Sequence, residues 1–131
     1  MEKIYITKND YKKLIDLIDQ KWPHDENDQN LLLELNRAEI IEPQKIPKDI
    51  ITMNSKVGFI DLETNKEFEY WLVFPEAAEI EKNKISVLSP IGCALLGYKI
   101  GEVISLKTPR GNKKIMVEKI LHQPEAAGNY Q

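Results

Sequence analysis

Ser89-Pro90-Ile91-Gly92-Cys93-Ala94-Leu95-Leu96-Gly97-Tyr98-Lys99-Ile100-Gly101-Glu102 holds the reading that decides the fold. Both ends of a short helix are marked in it. The Ser89 hydroxyl is suited to accept from a backbone N–H that the first turn leaves without an intrahelical partner. Pro90 fits the first helical position, where its missing N–H costs nothing. Gly97 fits the left-handed residue that closes a helix. Between them Ile91, Ala94 and Leu95 fall at i, i+3 and i+4, which predicts one apolar stripe. Gly101-Glu102 then turns the chain into the apolar run Val103-Ile104-Ser105-Leu106. A short capped helix between strands predicts an α+β domain.

Working outward, the pattern on either side has a period of two. Ile51, Met53, Ser55, Val57 and Phe59 alternate with Thr52, Asn54, Lys56 and Gly58, and Phe68, Tyr70, Leu72 and Phe74 alternate with Glu69, Trp71 and Val73. Leu62-Glu63-Thr64-Asn65-Lys66 supplies the turn between these two strands. Lys84 to Leu88 predicts a third strand. Val103 to Thr108 and Lys113 to Leu121 predict a last hairpin around Pro109-Arg110-Gly111-Asn112. Neighbouring strands with one helix imply an antiparallel sheet whose inner face that helix covers, so residues 47–131 are expected to be a sheet domain.

The N-terminal third reads differently. Thr7 with Asp10 is a variant of the capping-box start. Tyr11, Leu14, Ile15 and Ile18 form a helical stripe, and Pro23 stops it. Leu31, Leu35 and Ala38, with Leu32 beside them, form a second stripe from about Asp28 to Ile41, ended by Pro43 and Pro47. Residues 1–46 therefore predict a short antiparallel helical hairpin, or coiled coil, of about 14 residues per helix and ~21 Å in length. Residues 42–49 read as its linker. Residues 123–131 read as an extended or loose tail.

Composition bounds the function. The chain has 131 residues, 42% hydrophobic and 30% charged, enough for one domain with a small appendage. No apolar run approaches the ~18 residues of a membrane span, and no long apolar stretch follows Met1. With a single cysteine, Cys93, expected to be a small buried hydrophobe, this points to the cytoplasm. A net charge of −3 argues against phosphate-driven binding of nucleic acid by the whole protein. Yet the charge is uneven. Between 61 and 81 seven acids oppose only Lys66, and between 103 and 122 five bases oppose only Glu118. Such runs are either solvated faces or a dipolar surface that orients the chain on a large partner.

Three stretches carry a family resemblance. Ser89-Pro90, Ala94-Leu95-Leu96-Gly97, Gly101-Glu102 and Lys107-Thr108-Pro109-Arg110-Gly111 resemble the C-terminal domain of the bacterial Gre transcript-cleavage factors. Pro47-Lys48-Asp49-Ile50-Ile51-Thr52-Met53-Asn54-Ser55 and Gln123-Pro124-Glu125-Ala126-Ala127-Gly128 resemble a narrower branch, the regulators of nucleoside diphosphate kinase. The resemblance implies an FK506-binding-protein-like fold for the sheet domain, and RNA polymerase as partner, bound at the rim of its secondary channel. It also implies a docking segment, which here is Ser86-Val87-Leu88-Ser89-Pro90, so Ser86, Leu88, Ser89 and Pro90 are the candidate contacts. Gre sequences commonly carry Asp just before Ser-Pro, where this chain has Leu88.

In Gre factors, acids at the tip of a long hairpin help hold a metal ion that activates water for RNA cleavage. The corresponding loop here contains Trp22, Asp25, Glu26 and Asp28. Its acids have the hard oxygens that Mg²⁺ requires, and are equally suited to start the second helix. Length argues against cleavage, because the Gre hairpin is roughly twice ~21 Å and reacting groups must come within about 3–3.5 Å. The expectation is therefore a polymerase-binding regulator that competes with Gre-type factors without cleaving RNA, with no metal, no cofactor and at most indirect contact with nucleic acid. Two alternatives stand beside it: a peptidyl-prolyl isomerase, and a weak metal-assisted cleavage factor. For the first, alternation puts Trp71 on the opposite face from Phe68, Tyr70 and Phe74, which leaves no convincing proline pocket. An EF-hand reading from Asp25 fails, since its sixth and twelfth positions are Asn30 and Asn36.

Overall fold

The computed structural model describes residues 3–130, with Lys107 and Thr108 described by their backbone alone. The chain begins with strand β1 (Tyr5–Thr7), helices α1 (Lys8–Asp19) and α2 (Glu26–Arg37), and strand β2 (Glu39–Ile41). Thr7 caps α1 by accepting from the Asp10 amide, and Leu14 and Ile18 of the predicted stripe are buried. Each helix has 12 residues, about 18 Å at 1.5 Å per residue. The second helix stops before the predicted Ile41, because Glu39–Ile41 pairs in parallel with Tyr5–Thr7. That small sheet ties the root of the hairpin together.

A five-stranded sheet follows in the order β5-β4-β3-β7-β6. Its members are β3 (Lys56–Asp61), β4 (Glu67–Val73), β5 (Lys84–Ser86), β6 (Val103–Thr108) and β7 (Gly111–His122), with α3 (Pro90–Leu95) between β5 and β6. The expected antiparallel sheet is mixed, because β5 runs parallel to β4. The segment between them contains two short 3₁₀ turns, Pro75–Ala77 and Ile80–Lys82, and is long enough to cross over rather than fold back as a hairpin. The first predicted strand also begins later than its alternation suggests. Residues 51–55 form a turn in which Ser55 Oγ accepts from the Thr52 amide and Asn54 takes φ +66°. Ile51 and Met53 are buried all the same.

One apolar cluster runs through the molecule. Leu14, Ile18, Leu31 and Leu35 from the hairpin pack with Val57, Phe59, Leu72 and Val117 from the sheet and Leu95 and Leu96 from the α3 region. The helix stripe expected from Ile91, Ala94 and Leu95 is rotated, since α3 buries Gly92, Cys93 and Leu95. Burial pushes the Cys93 thiol up to about 11, so it behaves as the small hydrophobe expected of it. The opposed charge runs meet across the sheet and partly neutralise each other, Glu69 of β4 reaching over β3 to β7. Glu69 meets Lys119 at 3.3 Å and Lys56 at 3.9 Å, and Lys113 meets Asp61 at 3.4 Å. The Lys107 side chain, part of the basic run, lies outside the described residues.

The C-terminal segment is not a loose tail. Gln123 and Glu125 are buried. Gln123 Nε2 donates to the Pro47 and Ile50 carbonyls at 2.9 and 2.7 Å, and Glu125 Oε1 accepts from the Thr52 hydroxyl at 2.7 Å. The two stretches that carry the narrower resemblance are thus bonded to each other. Apolar periodicity misses this because the attachment is made by polar side chains.

Candidate functional site

The segment before α3 is knitted by its own hydroxyls. Ser86 Oγ accepts from the Leu88 amide at 3.0 Å. Ser89 Oγ donates to the Ser86 carbonyl at 2.7 Å and accepts from the Gly92 amide at 3.1 Å, as a helix cap should. Val87 is fully buried, and its amide donates to the Val73 carbonyl at 2.9 Å. Leu88 is half-buried against the core and Pro90 is exposed. The loop is a rigid projection rather than a floppy connection.

At the far end of the hairpin, Trp22 is 85% exposed, with its ring edge-on to His24 at 5.4 Å. It does not close the end of the hairpin. The acids are largely occupied in starting α2. Asp25 caps the helix by accepting from the Asp28 amide at 2.8 Å, and Asp28 reciprocates toward the Asp25 amide at 3.1 Å. The second oxygen of Asp28 accepts from Lys21 at 3.0 Å. Burial pushes the Asp28 carboxyl up, but those hydrogen bonds outweigh it and hold it below the usual carboxylate range. Asp25 and Glu26 are exposed, and of the three only Asp28 is buried. Among the described residues no group of three or more His, Cys, Asp or Glu side chains is placed to hold a metal ion. Replacing Asp28 with alanine should cost about 1–2 kcal/mol of stability in a urea melt, because it removes half of the capping box at a buried position. A cost under a few tenths would show that the box is idle.

The hairpin and the start of α3 border one cleft. A cavity of about 500 Å³ lies between α2, α3 and the edge strand β6, with Glu26, Leu33, Pro90 and Tyr98 among its walls. Of the residues expected at the site, Glu26 and Pro90 are therefore brought together. Ser86, Leu88 and Ser89 do not line the cleft, and neither do Trp22, Asp25 and Asp28. Arg37 fixes the far wall, donating to the Tyr98 hydroxyl at 2.9 Å and pairing with Glu34 at 2.8 Å. Sequence reasoning misses Leu33, which is 66% exposed. Its signal is an apolar residue lying off the Leu31, Leu35, Ala38 stripe.

The comparison with family models decides the lineage. The model described as "Transcription elongation factor, GreA/GreB, C-term" matches residues 46–122, and "Rnk N-terminus" matches residues 2–41. The chain belongs to the GreA/GreB family. It is a Gre-like transcription elongation regulator with an Rnk-type N-terminus. The regulator of nucleoside diphosphate kinase of Escherichia coli K12 is 38% identical over 98 residues, 74% of this chain and 72% of that protein. Transcription elongation factor GreA of Thermodesulfovibrio yellowstonii is 41% identical over 81 residues, which is 62% of this chain and 51% of that one. The match thus spans only about half the length of such GreA relatives. Among solved structures, a GreA/GreB transcription elongation factor from Nitrosomonas europaea superposes with a TM-score of 0.78 at 32% identity, covering 93% of this chain and all 100% of that one. Gfh1 of Thermus aquaticus reaches 0.52 at 26% identity over 92% of this Gre-like chain and 99% of its own.

Proposed function

We propose that this Gre-like chain binds RNA polymerase at the rim of the secondary channel, competes there with Gre-type factors, and does not cleave RNA. In this reading residues 47–131 are the seat, in the FK506-binding-protein-like arrangement the family resemblance implies, and residues 1–46 are the plug. The setting is the cytoplasm, where polymerase works; among the described residues no helix is long and apolar enough to cross a membrane. The observation that carries the reading is the hairpin. Its helices have 12 residues each, about 18 Å, and two of its three tip carboxylates are committed to capping. A tip this short, with one carboxylate left outside the capping box, has neither the reach nor the cluster of free oxygens for metal-assisted hydrolysis deep in a channel.

The docking edge has apolar anchors in Leu33 and Pro90 with Leu88 nearby, the kind of feature that holds a protein partner. The chain should therefore be retained by core polymerase, released by excess GreA, and yield no 3′ fragments from a stalled elongation complex. Leu33→Asp and Leu88→Asp should each weaken retention about tenfold or more while leaving the melting curve within about 1 kcal/mol. Retention unchanged in both variants would remove this edge from the reading, and fragment release would restore the cleavage reading.

The isomerase alternative rests on one aromatic cluster, which a direct test can address. Phe59 stacks on Phe68 at 5.4 Å and on Tyr70 at 5.7 Å, and these rings border a pocket of about 100 Å³. Trp71 is turned away from them, lying against His122 at 5.6 Å. A prolyl-peptide isomerisation assay at neutral pH should give no rate above the uncatalysed one.

A further inference from the structure

The C-terminal residues lie across the seam between hairpin and sheet with almost nothing apolar to hold them. Residues 126–130 are all exposed. Their grip is polar: Gln123 on Pro47 and Ile50, Glu125 on Thr52, and the Tyr130 carbonyl accepting from Asn9 Nδ2 at 2.8 Å. Beneath them Asp10 of α1 is only 4% exposed, and its Oδ2 accepts from the Met53 amide at 3.0 Å. Asp10 and Glu125 line one cavity of about 470 Å³, and the other titratable side chains on its walls are Lys13 of α1, Lys84 of β5 and His122 of β7.

We propose that residues 123–130 are a proton-operated strap, closed over this seam while Asp10 carries a proton and released when that proton passes to water. The inference is independent of the polymerase reading. Two buried carboxylates on one small cavity cannot both be charged without cost, since each is desolvated and they repel. The groups around Asp10 set where the change falls. Burial pushes its carboxyl up to about 7; the Met53 amide and Thr7 pull it down, Glu125 pushes it further up, and Lys13 pulls it down. The element that yields is the strap rather than the hairpin, because Leu14, Ile18, Leu31 and Leu35 anchor the hairpin in the core.

The test uses the full chain and two NMR readouts between pH 6 and 8.5. One is the Asp10 carboxyl carbon shift. The other is hydrogen exchange, corrected for its intrinsic pH dependence, at the strap amides of Ala127, Gly128 and Asn129 and at Met53. We expect Asp10 to titrate near 7, and protection at the strap amides to fall about tenfold or more across that range, while the core amides Leu72 and Val117 hold theirs. Asp10→Asn keeps an acceptor for Met53 and should make strap protection independent of pH. Glu125→Gln keeps an acceptor for Thr52 and should shrink the fall. Because His122 borders the same cavity, these variants decide which group is responsible; if one fails to fold, the other carries the comparison. An Asp10 midpoint below 5 would overturn the proposal. So would flat strap protection in the unmodified chain, or an unchanged pH dependence in the variants.

Discussion

Gly92→Ala is expected to cost about 3 kcal/mol of stability, a large fraction of what holds a domain of this size folded. A Cβ built at Gly92 runs into the Ser86 carbonyl oxygen and lies 2.9 Å from its carbon and 3.0 Å from Ser89 Oγ. These are not flexible ends that swing aside. The Ser86 carbonyl is held by the Ser89 hydroxyl at 2.7 Å, and Ser89 is the cap of α3. Making room for one methyl means lifting α3 from β5, with Cys93 and Leu95 drawn out of the core behind it. A matched control separates crowding from backbone conformation. Gly101 sits at φ +94°, and a Cβ added there would meet nothing within 4 Å. Gly101→Ala should therefore cost only the about 1–2 kcal/mol of a left-handed residue. Urea melts of both variants give the comparison. A Gly92→Ala loss no larger than that of Gly101→Ala would mean that α3 is free to slide, and the loop before it would not be a rigid projection.

The same glycine illustrates what sequence can and cannot tell. Ser89, Pro90 and Gly97 mark the ends of α3 by local chemistry, and those ends are where the marks put them, because capping depends only on residues within a turn. The buried face is harder to read because it is set by what lies beneath. Gly92 is on the inward face because it is small, and an apolar stripe cannot register a residue chosen for having no side chain. The helical hairpin is legible from Leu14, Ile18, Leu31 and Leu35. The parallel pairing of Glu39–Ile41 with Tyr5–Thr7 is not, since three-residue strands carry too little periodicity. At the candidate site, Asp25 and Asp28 are visible as acids, but their commitment to one capping box is a matter of geometry. Glu26 and Leu33 lie two turns apart on α2 and Pro90 far along the chain, and only the packing of α2 against α3 makes them walls of one cleft.

Stability should fall, not rise, as pH increases from about 4 to 7, and Asp10→Asn should abolish that fall. The sign follows from proton counting. The Asp10 carboxyl is raised from 3.8 to about 7 on folding, first by burial. Between those values the folded chain holds a proton that the unfolded chain has given up. Unfolding then releases a proton, so higher pH favours it, and the contribution is present in full only below the unfolded value. A shift of that size corresponds to a ceiling of about 4 kcal/mol. Release of the strap relieves part of the charge burial, so the observed loss should be nearer about 2 kcal/mol. Asp28 and Asp61 act in the opposite sense and in a different window. Both are held below the usual carboxylate range, so what they contribute is lost only as pH drops below about 4. The unmodified chain should therefore be most stable between about pH 4 and 5, with Asp10→Asn overtaking it by roughly 2 kcal/mol at pH 8. Urea melts of both proteins at pH 5, 6, 7 and 8 measure this directly. Parallel curves for the two proteins would show that the Asp10 carboxylate is solvated in the folded state, and the buried acid pair would then lose its role in both stability and strap.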